Sequence, residues 1–152
     1  MLIKNLKFTY PALIYEKLRA PNSIFLESQK NGDFSYIALN PYLIFKAYGE
    51  KVELSYFDEN NSLIKKITKK TNPIILLEKI ITKNKIKKQK NWPLFYGGAI
   101  GYFGYEVFQH FAIYQNLKLK NKPGLELPDI YLIFPRDILI FNHKNKSLKI
   151  IS

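Results

Sequence analysis

Residues 34–57 read FSYIALNPYLIFKAYGEKVELSYF, and the fold class turns on how this stretch is parsed. Phe34 to Leu39 concentrates aromatic and β-branched side chains, which suit a pleated, half-buried surface. Pro41 to Tyr48 and Val52 to Phe57 flank Gly49-Glu50-Lys51 as the arms of a hairpin. Upstream, Ser23 to Ser28 (SIFLES) is a short apolar run. Asn31-Gly32-Asp33 supplies turn chemistry after it, so Phe34 to Leu39 is predicted to return beside it. Downstream, the polar turn Asp58 to Asn61 leads into a further strand, Ser62 to Thr68. Successive hairpins of this kind make a meander.

Two helices frame this region. Pro11 suits a first helical turn, and Leu13, Ile14, Lys17 and Leu18 fall near one face of a helix running to Arg19. Asn72-Pro73 gives a cap and a first-turn proline, with Ile74, Leu77, Ile80 and Ile81 at helical spacing as far as Thr82. Lys83 to Asn91 (KNKIKKQKN) reads as an exposed, mobile connector inside one domain, 1–152, because neither half has a large core of its own. Beyond Trp92-Pro93, residues Gly97, Gly98, Gly101 and Gly104 lie among aromatics, which predicts close approach of sheet or ligand to the backbone. A short helix from Tyr105 to about Phe111 and a loop ending in Lys122-Pro123-Gly124 follow. The chain closes with strands Ile130 to Phe134, Ile138 to Phe141 and Leu148 to Ile151. Many strands joined by hairpins, with two or three short helices, predict an α+β fold built mainly on antiparallel β-sheet.

Composition narrows the function classes. The 152 residues are 47% hydrophobic and 15% aromatic, enough for a packed core and against disorder. With no cysteine, disulfide frameworks, thiolate zinc sites and a thiol nucleophile drop out. The N-terminus lacks an apolar core followed by a small-residue cleavage site. The longest uncharged run, Asn91 to Tyr105, is shorter than the roughly 18–20 residues of a spanning helix, so a cytoplasmic protein is expected. The net charge of +12 invites a nucleic-acid or membrane reading. All basic residues except Arg19 and Arg136 are Lys, however, accompanied by abundant Asn and Ile, as an AT-rich genome encodes at permissive surface positions. Base-edge readout relies heavily on Arg, so the charge reads as a solvated surface rather than a nucleic-acid interface.

Catalytic signatures are scarce. His110 and His143 stand apart without a displayed orienting partner. No His, Asp and Glu cluster has metal-ligand spacing. The glycine string lacks the Lys of a phosphate loop, and the strand–turn–helix context and acidic residue of a dinucleotide fingerprint. Glu27 and Ser28, closing an apolar run, admit two readings. A carboxylate beside Phe25 and Leu26 can accept a ligand's ammonium group with Ser28 assisting, or Glu27 pairs with a Lys and Ser28 caps a turn. Leu127-Pro128-Asp129 reads as a stiff entry to a strand.

Taken in order, these segments form a series: Pro11, Tyr15 and Leu18 on a helix; Phe25-Leu26-Glu27-Ser28; Gly32-Asp33-Phe34-Ser35-Tyr36-Ile37-Ala38; Asn40-Pro41; Phe95 to Glu106 (FYGGAIGYFGYE); Leu127-Pro128-Asp129; and Ile140-Phe141-Asn142-His143. The series resembles the N-terminal region of the chorismate-utilising synthases, anthranilate synthase component I and aminodeoxychorismate synthase component I. The family patterns are Leu-Leu-Glu-Ser, Gly-Arg-[Tyr/Phe]-Ser-[Phe/Tyr]-Ile-Gly, Asp-Pro, Phe-x-Gly-Gly-x-x-Gly-Tyr-x-x-Tyr-Asp, Leu-Pro-Asp and Phe-Asp-His.

The resemblance implies a regulatory and structural domain, not catalytic by itself, that packs on a separate chorismate-binding domain carrying Mg²⁺. Chorismate is aminated there with ammonia from a glutamine amidotransferase partner, for tryptophan or folate precursor synthesis. It also implies that Leu26, Glu27 and Ser28 contribute half of an L-tryptophan pocket used in feedback inhibition, and that Gly97, Gly98, Gly101, Pro128 and Asp129 hold structural motif positions. Departures are Asp33 for the family's Arg, Glu106 for Asp, and Asn142 for Asp. The chain stops at Ser152 without the catalytic domain. The alternatives are a stand-alone amino-acid-binding module and, on charge alone, a nucleic-acid-binding domain.

Overall fold

A computed structural model describes residues 2–28, 32–85, 87–88, 92–93, 95–111 and 126–152. The elements in chain order are β1 (Ile3–Leu6), α1 (Pro11–Leu18), β2 (Ile24–Leu26), β3 (Phe34–Tyr48), β4 (Lys51–Phe57), β5 (Leu63–Lys70), α2 (Pro73–Lys83), β6 (Ile100–Phe103), a 3₁₀ helix (Tyr105–His110), β7 (Ile130–Asn142) and β8 (Ser147–Ile151). The eight strands form one antiparallel sheet, ordered β1-β8-β7-β3-β4-β5, with β2 also on β3 and β6 also on β7. The expected fold class, mainly antiparallel sheet with three short helices, is the one observed.

Two boundaries differ from expectation. Phe34–Leu39 and Pro41–Tyr48 are a single 15-residue strand, and Ile130–Phe134 and Ile138–Phe141 belong to a single 13-residue strand. The long strands β3 and β7 pair along their length as a central ribbon. Pro41 faces Pro135 where the register shifts: Pro41 pairs with Pro135 but Leu43 with Phe134, so β3 carries one extra residue, Tyr42. Proline cannot donate to a ladder, and a bulge is where a sheet tolerates it. Asn40, beside it, takes a left-handed φ of 51° that asparagine accepts more readily than most residues.

The bulge also re-phases the side chains. Ile37 and Leu39 pack with Leu139, Phe141 and Leu148 against Ile14 and Tyr15 of α1. Beyond it, Leu43, Phe45 and Ala47 join Leu77 of α2 and Val107 of the 3₁₀ helix. One ribbon thus serves two apolar clusters. Phe45, Phe134 and Phe141 are fully buried, each contributing about 1.5–3 kcal/mol by leaving water.

The helices follow their local signals. α2 begins at Asn72, whose side chain accepts the N–H groups of Ile74 (2.9 Å) and Ile75 (3.3 Å), with Pro73 behind it. Asn72 Nδ2 donates to the His110 carbonyl (2.9 Å), tying α2 to the 3₁₀ helix. β1 and β6 lie outside the expected strands, the first because it is short and the second because of its glycine. Of the Lys83–Asn91 connector, residues 83–85 and 87–88 are described, and the loop ending in Lys122-Pro123-Gly124 lies outside the described residues.

Candidate functional site

The segment Leu26-Glu27-Ser28 sits at the end of β2, where Leu26 pairs with Tyr36 of β3. Directly paired residues share a sheet face. Phe34 stacks on Tyr36 on that face, with ring centroids 6.3 Å apart. Leu26 is 45% exposed and Phe34 36%, so the two form an open apolar shelf over Tyr36. Phe95 closes one side of the shelf with its ring edge-on to Tyr36 at 5.6 Å, and burial pushes the Tyr36 phenol up from its ordinary range. Glu27 is exposed and makes no ion pair among the described residues.

What holds this segment lies on the opposite sheet face. The Ser28 N–H donates to Ser35 Oγ at 2.8 Å, and Ser35 Oγ is 2.7 Å from His143 Nε2. Ser35 is the single fully buried polar residue among those described. The buried hydroxyl is thus engaged on both sides, by the Ser28 N–H and by the imidazole nitrogen. The His143 N–H in turn donates to the Asp33 carbonyl (2.8 Å), and Phe8 sets its ring edge against the imidazole at 6.1 Å. Three sequence segments, 26–28, 33–35 and 141–143, are therefore one hydrogen-bonded unit. Asn142 Oδ1 accepts the N–H groups of Lys144 (3.0 Å) and Asn145 (3.1 Å), an acceptor role that a carboxylate could equally fill. At Asp33, where the family pattern has Arg, the backbone does the work and the side chain is exposed.

The glycine segment serves a different purpose. Gly101 in β6 pairs with Leu132, and a Cβ built on it would lie 1.9 Å from the Tyr131 carbonyl oxygen. Only glycine lets β6 approach β7 this closely. Gly98 adopts φ +106°, whereas around Gly97 there is open space. Asp129 fastens the neighbouring ends. Its carboxylate accepts the Gly49 N–H (2.5 Å), its N–H donates to the Ala47 carbonyl (2.7 Å), and its carbonyl accepts the Gly104 N–H (2.6 Å). Pro128, half-buried, precedes this clasp.

A residue that sequence reasoning passed over is Arg136, in the middle of β7. Its Nη2 donates to the Phe57 carbonyl (2.6 Å), and its guanidinium lies 5.9 Å from the Tyr42 ring centroid. The signal was present in composition: one of only two arginines in a lysine-rich chain, set between apolar runs. Among the described residues no group of three His, Asp or Glu side chains could hold a metal ion, and no helix is long and apolar enough to cross a membrane.

No family model matches the chain. Anthranilate synthase component 1 of Acetivibrio thermocellus is 29% identical to it over 153 residues, covering 91% of this chain and 29% of that protein. Aminodeoxychorismate synthase component 1 of Bacillus subtilis (strain 168) is 26% identical over 140 residues, covering 91% and 28%. The crystal structure of anthranilate synthase component I from Streptococcus pneumoniae TIGR4 superposes with a TM-score of 0.57 at 24% identity, covering 95% of this chain and 29% of that one, a likeness of fold. The chain spans less than a third of the length of these proteins. Over nearly its whole extent it is related to one segment of component 1 of the anthranilate and aminodeoxychorismate synthases.

Proposed function

We propose that the chain acts as the N-terminal regulatory and structural domain of a chorismate-utilising synthase, packing on a separate chorismate-binding catalytic domain or subunit in the cytoplasm. The observation that carries this reading is the coverage: 91% of this chain aligns with only 29% of an anthranilate synthase component 1. In this reading the catalytic part aminates chorismate, with ammonia delivered by a glutamine amidotransferase, in tryptophan or folate precursor synthesis. The described residues do not fit the family's Mg²⁺, since no acidic cluster gathers among them, and the reading assigns that ion to the catalytic part.

Leu26, Glu27 and Ser28 would supply half of an L-tryptophan-type feedback pocket. The shelf of Leu26, Phe34 and Tyr36 is flat, apolar and open, as an indole ring requires. The exposed Glu27 carboxylate is free to accept an ammonium group, and Ser28 is held beside it through Ser35 and His143. The decisive experiment mixes the chain with its candidate catalytic half and measures ammonia-dependent chorismate amination with and without tryptophan. Complex formation, activity and tryptophan inhibition that weakens in Glu27→Gln are expected; no complex and no activity would sink the reading. Because Glu27 makes no ion pair among the described residues, a stand-alone amino-acid-binding role is the second reading, marked by calorimetric heat with tryptophan in the absence of any partner.

A further inference from the structure

The C-terminal end of α2, the Gly97–Gly98 segment and the middle of β7 line a half-open cavity of about 540 Å³. That volume lies within the roughly 300–1,000 Å³ of small-molecule sites. Tyr42, Tyr96, Phe134, Pro135, Ile138 and Ile151 give it a largely apolar wall. Its charged side chains, Lys85 and Arg136, are both cations, and no Asp or Glu is among its described lining residues, which include Ser152. Leu26, Glu27 and Ser28 are not part of it.

Arg136 is the unbalanced group. One arm of the guanidinium is satisfied by the Phe57 carbonyl, while Nη1 is buried with no hydrogen-bond partner. The ion pairs among the described residues all converge on Glu53, so no carboxylate balances this cation. Asp137, its chain neighbour, is engaged by Asn40 Nδ2 at 2.6 Å. Buried donors on a charged group are expensive to leave unmade, and a guanidinium takes a carboxylate across two parallel N–H bonds. Burial raises the Tyr42 phenol while Arg136 draws it back, which leaves Tyr42 a neutral ring against the guanidinium.

We propose that this cavity binds a compact aromatic monocarboxylate, its carboxylate completing Arg136 and its ring lying against Tyr42, Tyr96 and Phe134. The cavity is distinct from the shelf beside the exposed Glu27.

The test is calorimetry and amide NMR on the whole chain with benzoate, benzamide and acetate as probes. Benzoate is expected to saturate in the millimolar range or better, with benzamide at least about tenfold weaker for want of the charged hydrogen bond and acetate at least about tenfold weaker for want of the buried ring. Shifted amides should map to residues 96–98 and 134–138. Arg136→Met should lose benzoate binding and Arg136→Lys should weaken it severalfold, with circular dichroism reporting whether each variant is folded. The ligand comparison on the unaltered chain stands even if both variants unfold. Benzamide or acetate binding as tightly as benzoate overturns the proposal. So does benzoate binding that survives in folded Arg136→Met. An absence of saturation at about 10 mM benzoate overturns it too.

Discussion

Substituting Gly101 by alanine tests the account of the glycine segment most directly. The new Cβ would sit 1.9 Å from the Tyr131 oxygen, 2.9 Å from its carbonyl carbon and 3.0 Å from Leu132 Cα. All three are backbone atoms of β7, so no side-chain rotation relieves the overlap. Contact between carbon and oxygen needs a little over about 3 Å, so the strands must separate by more than about 1 Å. That stretches the β6–β7 hydrogen bonds beyond useful length and opens the pocket of Ile100, now 6% exposed against Ile44 and Ile133. Overpacking strain of about 1–3 kcal/mol, together with loss of part of the Ile100 burial, gives about 3–4 kcal/mol. A domain of this size has about 5–15 kcal/mol in all, so the effect is large. In urea, with a slope of about 2 kcal/mol per molar, the midpoint should fall by about 1.5–2 M. Gly97→Ala is the control, because its Cβ would meet nothing within 4 Å, and a change below about 0.5 kcal/mol is expected. Equal midpoints for Gly101→Ala and the unaltered chain would refute the close approach of β6 to β7.

Three further outcomes follow from contacts already described. Ser35→Ala strips Ser28 and His143 of their shared partner and should destabilise by about 1–3 kcal/mol, with faster amide exchange at Ser28; unchanged exchange there would mean the serine does not hold the segment. Asp129→Ala releases the Gly49 N–H and should lower stability by a similar amount of about 1–3 kcal/mol, whereas Asp129→Asn, which keeps an acceptor oxygen, should recover most of it in the same denaturation assay. Glu53 accepts from Lys51 (2.8 Å) and Lys66 (3.2 Å), and those hydrogen bonds, Lys51 first, hold its carboxyl below the usual range. The stabilisation is therefore present above the ordinary Glu value of about 4.3 and is lost as pH falls through the lowered folded value. The contribution is small and salt-sensitive, and carboxyl NMR titration showing an ordinary or raised Glu53 would contradict it.

Most of the fold could be read from the chain because its signals are local. The Asn72-Pro73 cap, the Gly49 turn and the aromatic runs each act within a few residues. The misjudged boundaries share one cause. Asn40-Pro41 and Pro135 look like strand ends, since proline removes a ladder donor, yet each is accommodated because the other lies opposite it at a bulge. Only the pairing of positions far apart in sequence reveals that. β6 was hidden for a related reason: its glycine is a β-breaker by propensity, and its need becomes apparent only beside Tyr131. The candidate site was half legible. Glu27 and Ser28 stand out as a carboxylate and a hydroxyl ending an apolar run, whereas Leu26 enters only through the family resemblance. Their anchor, Ser35 with His143, joins residues 108 positions apart, a relation no periodicity encodes. Arg136 went unnoticed because a lone cation in an apolar strand becomes a question only when its surroundings are known.

The sheet's outer strand β5 runs LIKKITKK, and among the described residues it ends the strand order with one side unpaired. Half of its eight residues are lysines, and Leu63 and Ile64 are exposed beside them. An open row of backbone donors and acceptors next to apolar side chains is a template on which a second copy can stack. Ammonium groups at this spacing make such stacking bring like charges together, strand against strand. Part of the +12 that composition offered as a lure for nucleic acid is thus placed where it keeps copies of the chain apart. Neutralising Lys65, Lys66, Lys69 and Lys70 together would convert a guarded margin into an adhesive one.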